Sequence, residues 1–403
     1  MNNRGLDPGS FIIETIQYDK YKTAWGTNVN IASMKPMNAT QLVLKSNPVS
    51  VTNYTDGNVH EMYTFNHEAT EQTPALTDYR YIGNDPYNYV YFNCDDLNNQ
   101  NSETCEVWRI IGVFDVERTD PNDNTQTITE RRMKFVRGSV LPETMKWDNR
   151  ESETTYSGNN NGINKWDGSL IEIFLNVGYY NDSYENLGLK DISHNMIENV
   201  IYYVGGTYIK TNSTGHYGNV EEIYQWKRGN NVFNYEDYCI VNPSDYICYN
   251  NNYCQDNPTS YACDEHKSTS WEGKLALLYP SDMYMTYSNG VDDVCYSDPD
   301  DCYNLEYHPW DSENPYVVRE TPGYPKRSWL YNTNINSSDN YSNIWFLNPH
   351  LMQDVYVFAS SYDGISSYFT GATSGVRPTL YLSSSVQIID GDGSINNPYK
   401  LGL

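Results

Sequence analysis

The chain has 403 residues with 52 acidic and 26 basic side chains, a formal net charge of −26. This charge would repel polyanions, so nucleic acid and anionic membrane surfaces are excluded as expected partners. Hydrophobic residues make up 38% of the chain, but 39 tyrosines raise the aromatic share to 14%. Tyrosine can bury its ring while its hydroxyl stays solvated, which suits binding loops. A base-composition bias in the genome would also enrich Tyr and Asn, and this alternative stays open.

The eight cysteines fall in three short clusters: Cys94 and Cys105; Cys239, Cys248, Cys254 and Cys263; Cys295 and Cys302. None of these spacings is the C-x2-C of zinc sites, so we predict disulfides between nearest neighbours, with the pairing of the middle four open. Disulfides persist in oxidising compartments, which predicts an extracellular or cell-surface chain. The sequence contains neither a signal peptide nor a membrane-spanning apolar stretch of about 18 residues. We therefore expect that a leader or anchor is missing from it.

In chain order, residues 1–75 predict an irregular or β-structured appendage or stalk, with candidate strands at Phe11–Tyr18 and Gln41–Lys45. Clear strand patterns follow at Tyr87–Phe92, Cys105–Phe114 and Arg132–Arg137. Both faces of Cys105–Phe114 are largely apolar, which is typical of an interior strand.

Two helices are predicted next. The first has an apolar face made by Trp166, Leu170, Ile173, Phe174 and Gly178. Asp167 stands where it could cap this helix. The second begins near Asp191 or Ser193 and continues through Tyr203 to Gly205.

Residues 207–325 predict a large loop-rich insertion that holds six cysteines and one firm strand, Lys274–Tyr279. The C-terminal part returns to strands at Asn343–Pro349, Val355–Ala359, Val376–Leu382 and Ser385–Ile389. This order of elements predicts an α+β, β-rich fold with two helices, a small twisted antiparallel sheet and long disulfide-clipped loops.

Several motifs carry a family resemblance: Tyr79–Gly83, Trp108–Phe114, Gly375–Leu382, Asp390–Ser394 and Asn397–Leu401. They resemble secreted or cell-surface proteins of gut Firmicutes, from about residue 64 to the end. The layout also resembles the C-type-lectin-like fold shared with formylglycine-generating-enzyme relatives, in which an aromatic-rich strand leads to a final Gly-x-Arg strand. The resemblance implies one such domain over residues 76–403, and it implies display and binding. The oxidase relatives use cysteines near the chain end, whereas no cysteine follows Cys302 here.

In the retroelement-diversified receptor-binding proteins of this fold, variable Tyr, Asn, Ser and Asp positions precede the Gly-x-Arg strand. The matching stretch here runs from Asn348 to Thr373. The candidate ligand-binding residues are Trp345, Asn348, Tyr356, Ser361, Tyr362 and Tyr368.

No nucleophile motif accompanies the seven histidines, and no carboxylate pair stands out, so we do not expect an enzyme. No cofactor is expected. Calcium at Asp298–Asp301 or Asp390–Ser394 is the alternative, although Asp-Gly favours a hairpin turn in the second segment. The leading hypothesis is an adhesion or recognition module that binds a surface glycan or protein. The second is a structural subunit of a pilus, fibre or surface layer that binds copies of itself, and a hydrolase of cell-wall or mucus polymers is the least favoured.

Overall fold

The computed structural model describes residues 37–45, 49–50, 62–67, 75–82, 85–156, 159–182, 187–205, 270–284, 286, 329–332, 343–349, 355–361 and 364–403. Several predicted features lie outside these ranges: the strand Phe11–Tyr18, the cysteines from Cys239 to Cys302, the Asp298–Asp301 segment and Tyr362.

The described part of the chain is rich in β-strands and carries short helices. The strands are β1 Val49–Ser50, β2 Met62–His67, β3 Leu76–Tyr81, β4 Tyr89–Phe92, β5 Glu106–Asp120, β6 Asp123–Arg137, β7 Met145–Lys146, β8 Glu151–Tyr156, β9 Asn159–Asn161, β10 Val200–Tyr203, β11 Ser270–Gly273, β12 Leu275–Ala276, β13 Ile344–Pro349, β14 Tyr356–Ser361, β15 Gly364–Phe369, β16 Thr373–Ser374, β17 Thr379–Tyr381, β18 Gln387–Asp390 and β19 Lys400–Gly402. The helices are α1 Ala39–Leu44, α2 Leu170–Ile173, α3 Asp191–His194, α4 Pro280–Tyr284 and α5 Trp329–Asn332, and a π-helical turn, Phe174–Tyr179, continues α2. The prediction of a β-rich α+β chain is confirmed at this level.

One eight-stranded sheet organises the core, in the order β1-β2-β3-β5-β6-β17-β12, with β4 also paired to β5. It is larger than the small sheet expected, because the β5–β6 hairpin recruits strands from both ends of the chain. Every pairing in it is antiparallel except β1 with β2. The inner half of β5 is buried on both faces, as its apolar sequence predicts.

The described parts of the predicted appendage pack onto this core. Gln41–Lys45 is not a strand. Asn38 and Gln41 form a reciprocal capping box that starts α1, in which each side chain accepts a hydrogen bond from the other residue's backbone N–H. Strand β2 pairs along its whole length with β3, so residues 62–67 belong to the main sheet.

The first predicted helix begins at Leu170, four residues after Trp166, and has a different buried face. Ser169, not Asp167, is the N-cap, and its hydroxyl accepts the Glu172 N–H at 3.1 Å. The buried residues Ile171, Leu175 and Tyr179 recur every four positions, whereas Ile173 is 48% exposed. The buried stripe is displaced by one position from the predicted one already at Ile171, before the wider π-helical turn begins at Phe174.

The second predicted helix ends at His194, after one turn. Val200–Tyr203 is strand β10, whose alternating burial fits its antiparallel pairing with β11. The predicted strand Lys274–Tyr279 is reduced to Leu275–Ala276 at the edge of the main sheet.

Two local predictions are confirmed. Cys94 and Cys105 form a disulfide, as nearest-neighbour pairing requires for this cluster. Strands β18 and β19 form an antiparallel hairpin at the C-terminus. Its turn uses Gly391 and Gly393 at φ +89° and +80°, in the left-handed region that favours glycine.

Candidate functional site

Two of the predicted ligand-binding residues are buried. Trp345, on β13, is 0% exposed, and its indole N–H donates to the Met145 carbonyl at 2.8 Å. Asn348 is also 0% exposed, and its amide donates to the Gly205 carbonyl at 2.8 Å. Both side chains therefore lie in the core, where they pack beneath the surface residues and hydrogen-bond to the backbone.

The other described candidates lie on β14 and β15. Ser361 ends β14. Tyr356 is half-buried and pairs with Phe369, whereas Tyr368 pairs with Val357. Since side chains alternate along a strand, Tyr356 and Tyr368 lie on opposite faces of the β13–β14–β15 sheet. The structure therefore separates the two tyrosines.

Tyr368 lies at the surface beside the buried Trp345. Its side chain is 37% exposed, and its ring meets that of Trp345 edge-on at 5.8 Å between centroids. Since Trp345 also donates a hydrogen bond to the Met145 carbonyl, Trp345 connects the Tyr368 ring to the loop that leads into β7.

This loop lines a pocket that the sequence did not reveal. The pocket is shallow, with a volume of about 30 Å³, and is lined by Leu141, Pro142, Glu143, Thr144, Met145, Phe174 and Leu187. That volume is well below the roughly 300–1,000 Å³ of enclosed small-ligand sites, so the pocket is a depression in the surface rather than a closed ligand cavity. Most of the lining is apolar, and Glu143 and Thr144 supply polar groups. We call it the 141–145 pocket.

Strand β16 and the residues that follow it hold one side of the 141–145 pocket in place. Met145 and Lys146, which form β7, pair with β16, and the Leu141 N–H donates to the Val376 carbonyl at 2.8 Å. Arg377, of the Gly-x-Arg motif, is 0% exposed, and burial lowers its pKa. Its guanidinium donates to three backbone carbonyls, those of Arg137, Gly138 and Leu330, at 2.6, 3.1 and 2.9 Å.

The carboxylate of Asp148 anchors the other side. It is fully buried and accepts the backbone N–H groups of Ile163 and Leu170 at 2.8 and 3.2 Å. The Arg150 guanidinium donates to it at 3.0 Å. Since Leu170 starts the helix that carries Phe174, this carboxylate holds the Phe174 wall of the pocket against the 141–145 loop.

Exposed apolar groups accompany the pocket on the same helical segment. Ile173 is 48% exposed and Val177 is 58% exposed, on either side of Phe174 along the chain. They add exposed apolar surface on the segment that supplies Phe174 to the pocket.

Comparison of the chain with known protein families, curated proteins and solved structures finds no match. The site must therefore be interpreted from its own geometry. None of the helices in the described ranges is long and apolar enough to cross a membrane.

The Asp390–Ser394 segment is built as a turn. Asp390 binds Lys400 Nζ at 2.9 Å, and Asp392 accepts the Ser394 N–H at 2.9 Å. Within the described ranges, no group of three or more His, Cys, Asp or Glu side chains is arranged to hold a metal ion.

Proposed function

We propose that the chain is an extracellular recognition module that binds an uncharged surface glycan or a protein ligand at the 141–145 pocket and Tyr368. The observation that carries this proposal is the exposed Tyr368 ring, which packs on Trp345 and is connected through it to Met145 in the wall of the shallow, apolar 141–145 pocket. An aromatic ring can stack on the apolar face of a sugar or on a side chain of a partner protein. We expect no catalytic activity at this site.

The Cys94–Cys105 disulfide supports the extracellular setting, because such bonds persist in oxidising compartments. The net charge of −26 favours neutral or basic ligands over acidic ones. The cell-surface resemblance of the sequence motifs agrees with both observations.

We also propose that the domain has the C-type-lectin-like fold. The order of elements supports this assignment: strands and the short helices α2 and α3 precede the long 206–269 segment, and β13 with Trp345, the Gly375–Arg377 motif and strand β17 come after it. The buried Arg377 clamp gives the Gly-x-Arg motif a role that such a fold would require.

The test is binding of the oxidised, full-length chain to an array of neutral, sialylated and sulfated glycans, and to surface proteins presented on beads. Binding to neutral glycans or basic proteins is expected. Tyr368→Ala should weaken it about tenfold, since about 1.4 kcal/mol corresponds to a factor of ten in affinity. Tyr87→Ala is the matched control, because Tyr87 is also exposed, at 51%, but lies in the segment before β4. Equal losses in both variants would contradict the assigned site.

The second candidate function is a structural subunit of a pilus, fibre or surface layer. The observation that favours it is the position of β15 at the end of the three-stranded sheet, where a strand from another copy could be added. Light scattering and negative-stain electron microscopy distinguish the two functions. A monomer supports the recognition module, whereas ordered filaments or rings support the subunit.

A further inference from the structure

Four charged side chains form a buried ionic cluster between the main sheet and helix α4. Asp78 and Arg80 lie on β3, Lys134 on β6, and Asp282 in the first turn of α4. Each is at most 1% exposed. These four side chains carry two positive and two negative formal charges, and the buried His67 ring also contacts Asp78, at 3.2 Å.

The contact between Lys134 and Asp282 is the closest in this cluster. Lys134 Nζ lies 2.5 Å from Asp282 Oδ2, and Arg80 donates to the other oxygen, Oδ1, at 3.2 Å. The backbone N–H of Tyr279 also donates to Oδ2, at 2.9 Å. Both oxygens of the carboxyl group are thus held in place beside the lysine amine.

Two aromatic rings lie beside the amine of Lys134. Lys134 Nζ lies 4.3 Å from the centre of the Tyr279 ring and 5.6 Å from that of Tyr381. Burial in these surroundings lowers the pKa of Lys134, which favours the neutral amine. The pKa of Asp282 is also lowered, although its burial raises it, because Lys134 and Arg80 lie against the carboxylate. The reactive form therefore requires that Lys134 pass a proton to Oδ2 of Asp282 along their hydrogen bond, which leaves a neutral amine beside a neutral carboxyl group. A neutral amine is a nucleophile, whereas an ammonium ion is not.

We propose that Lys134 and Asp282 condense into an intramolecular isopeptide bond. The amine nitrogen of Lys134 attacks Cγ of Asp282, and a C–N bond forms. The C–Oδ2 bond then breaks, and this oxygen leaves as water with two of the protons of the original ammonium group. The ion pair contains every atom of the products, an amide and one water, so neither an oxidant nor a cofactor is needed.

The other members of the cluster assist this reaction. Negative charge develops on Oδ1 in the tetrahedral intermediate, and Arg80 already donates a hydrogen bond to that atom. The fixed positions of amine and carboxyl group replace an encounter in solution with an intramolecular step. Condensation removes one buried charge of each sign, and Arg80 keeps its partner Asp78 at 2.7 Å. The reaction therefore leaves no uncompensated charge.

The bond would join two elements that are 148 residues apart in the chain, the central strand β6 and helix α4. This covalent loop would resist mechanical and proteolytic opening of the domain, which suits a protein displayed outside the cell. The inference does not depend on what the 141–145 pocket binds.

The test is the intact mass of the folded, full-length chain after its disulfides have been reduced. We expect a mass lower than that of the sequence by one water molecule, and a crosslinked proteolytic peptide that contains both Lys134 and Asp282. The full sequence mass would overturn the proposal and leave the cluster as a set of ion pairs. The wild-type chain alone decides this point, so no variant needs to fold.

Two variants exclude water loss at other sites, such as Asp-Gly steps. Lys134→Arg keeps the positive charge but lacks the amine, and it should retain the full sequence mass. Water loss that persists in this variant would refute the assignment to Lys134. Asp282→Asn changes the leaving group, so a crosslink in that variant should release ammonia in place of water.

Discussion

The carboxylate of Asp148 offers the sharpest test of how the candidate site is built. Asp148→Asn preserves the size of the side chain but removes its charge and turns one acceptor oxygen into a donor. Oδ1 accepts the Leu170 N–H, Oδ2 accepts the Ile163 N–H, and Arg150 Nε donates to both. In either orientation of the amide, its NH2 group faces a backbone N–H that then has lost its acceptor.

The expected cost follows from these contacts. A hydrogen bond to a charged group contributes about 1.5–3 kcal/mol, and an unsatisfied buried donor costs about 1–3 kcal/mol. One lost bond and the weakened contact with Arg150 together predict a decrease of about 2–4 kcal/mol in the free energy of unfolding. This is a large share of the roughly 5–15 kcal/mol that stabilises a typical domain.

Urea denaturation followed by tryptophan fluorescence measures this change. Trp147 and Trp166 lie next to the site, are 0% and 2% exposed and pack edge-to-face at 5.8 Å. Asp167→Asn is the control with the same chemistry, because Asp167 is exposed and does not cap the helix. It should change the free energy of unfolding by less than about 0.5 kcal/mol. Equal effects of the two substitutions would refute the role assigned to Asp148.

Three further predictions use other parts of the described structure. Replacing Cys94 and Cys105 together by serine should lower the free energy of unfolding by about 3 kcal/mol, because the disulfide closes a loop with a sequence separation of 11; urea denaturation measures this. Ile171→Ala should lower the free energy of unfolding by about 2–5 kcal/mol, whereas Ile173→Ala should change it by less than about 0.5 kcal/mol. A larger effect of Ile173→Ala than of Ile171→Ala in urea denaturation would instead support the helix face predicted from the sequence. Burial and the hydrogen bond to its carboxylate partner raise the pKa of Tyr89 to about 12, so its contribution to stability is present below pH 10 and is lost as the pH rises through 12. The absorbance titration of wild type minus Tyr89→Phe should therefore have its midpoint near pH 12, and a midpoint near 10 would contradict the buried environment.

Local patterns predicted the elements whose surroundings are simple. The run Cys105–Phe114 is apolar on both faces, and it forms the interior of β5. The C-terminal strand patterns at Asn343–Pro349 and Val355–Ala359 correspond to β13 and β14 with shifts of one or two residues. In these segments the periodicity of the sequence and the burial imposed by the fold agree.

The failures have identifiable physical causes. Val200–Tyr203 carries apolar residues that fit a helix, but pairing with β11, about 70 residues later in the chain, makes it a strand. That pairing is a long-range event without a local signal. The Asn38-x-x-Gln41 capping box, in contrast, was visible in the sequence and distinguishes α1 from the expected strand.

The candidate site was only partly predictable for the same reason. Tyr368 lies at the surface, but Trp345, in the same predicted set, supports it from the core. The loop Leu141–Met145 has no periodicity or motif that marks it as a site. It becomes a pocket wall only because β16 and Asp148 hold it against the helix that carries Phe174.

Arg377, the arginine of the Gly-x-Arg motif, has a structural role. Arg377 is fully buried, and all three of its described hydrogen bonds go to backbone carbonyls, which any sequence could supply. These bonds fix the path of the chain where the Arg137–Gly138 segment and helix α5 meet the last strands. Under the proposed function, specificity comes from exposed side chains that this buried frame positions, such as Tyr368 and the wall of the 141–145 pocket.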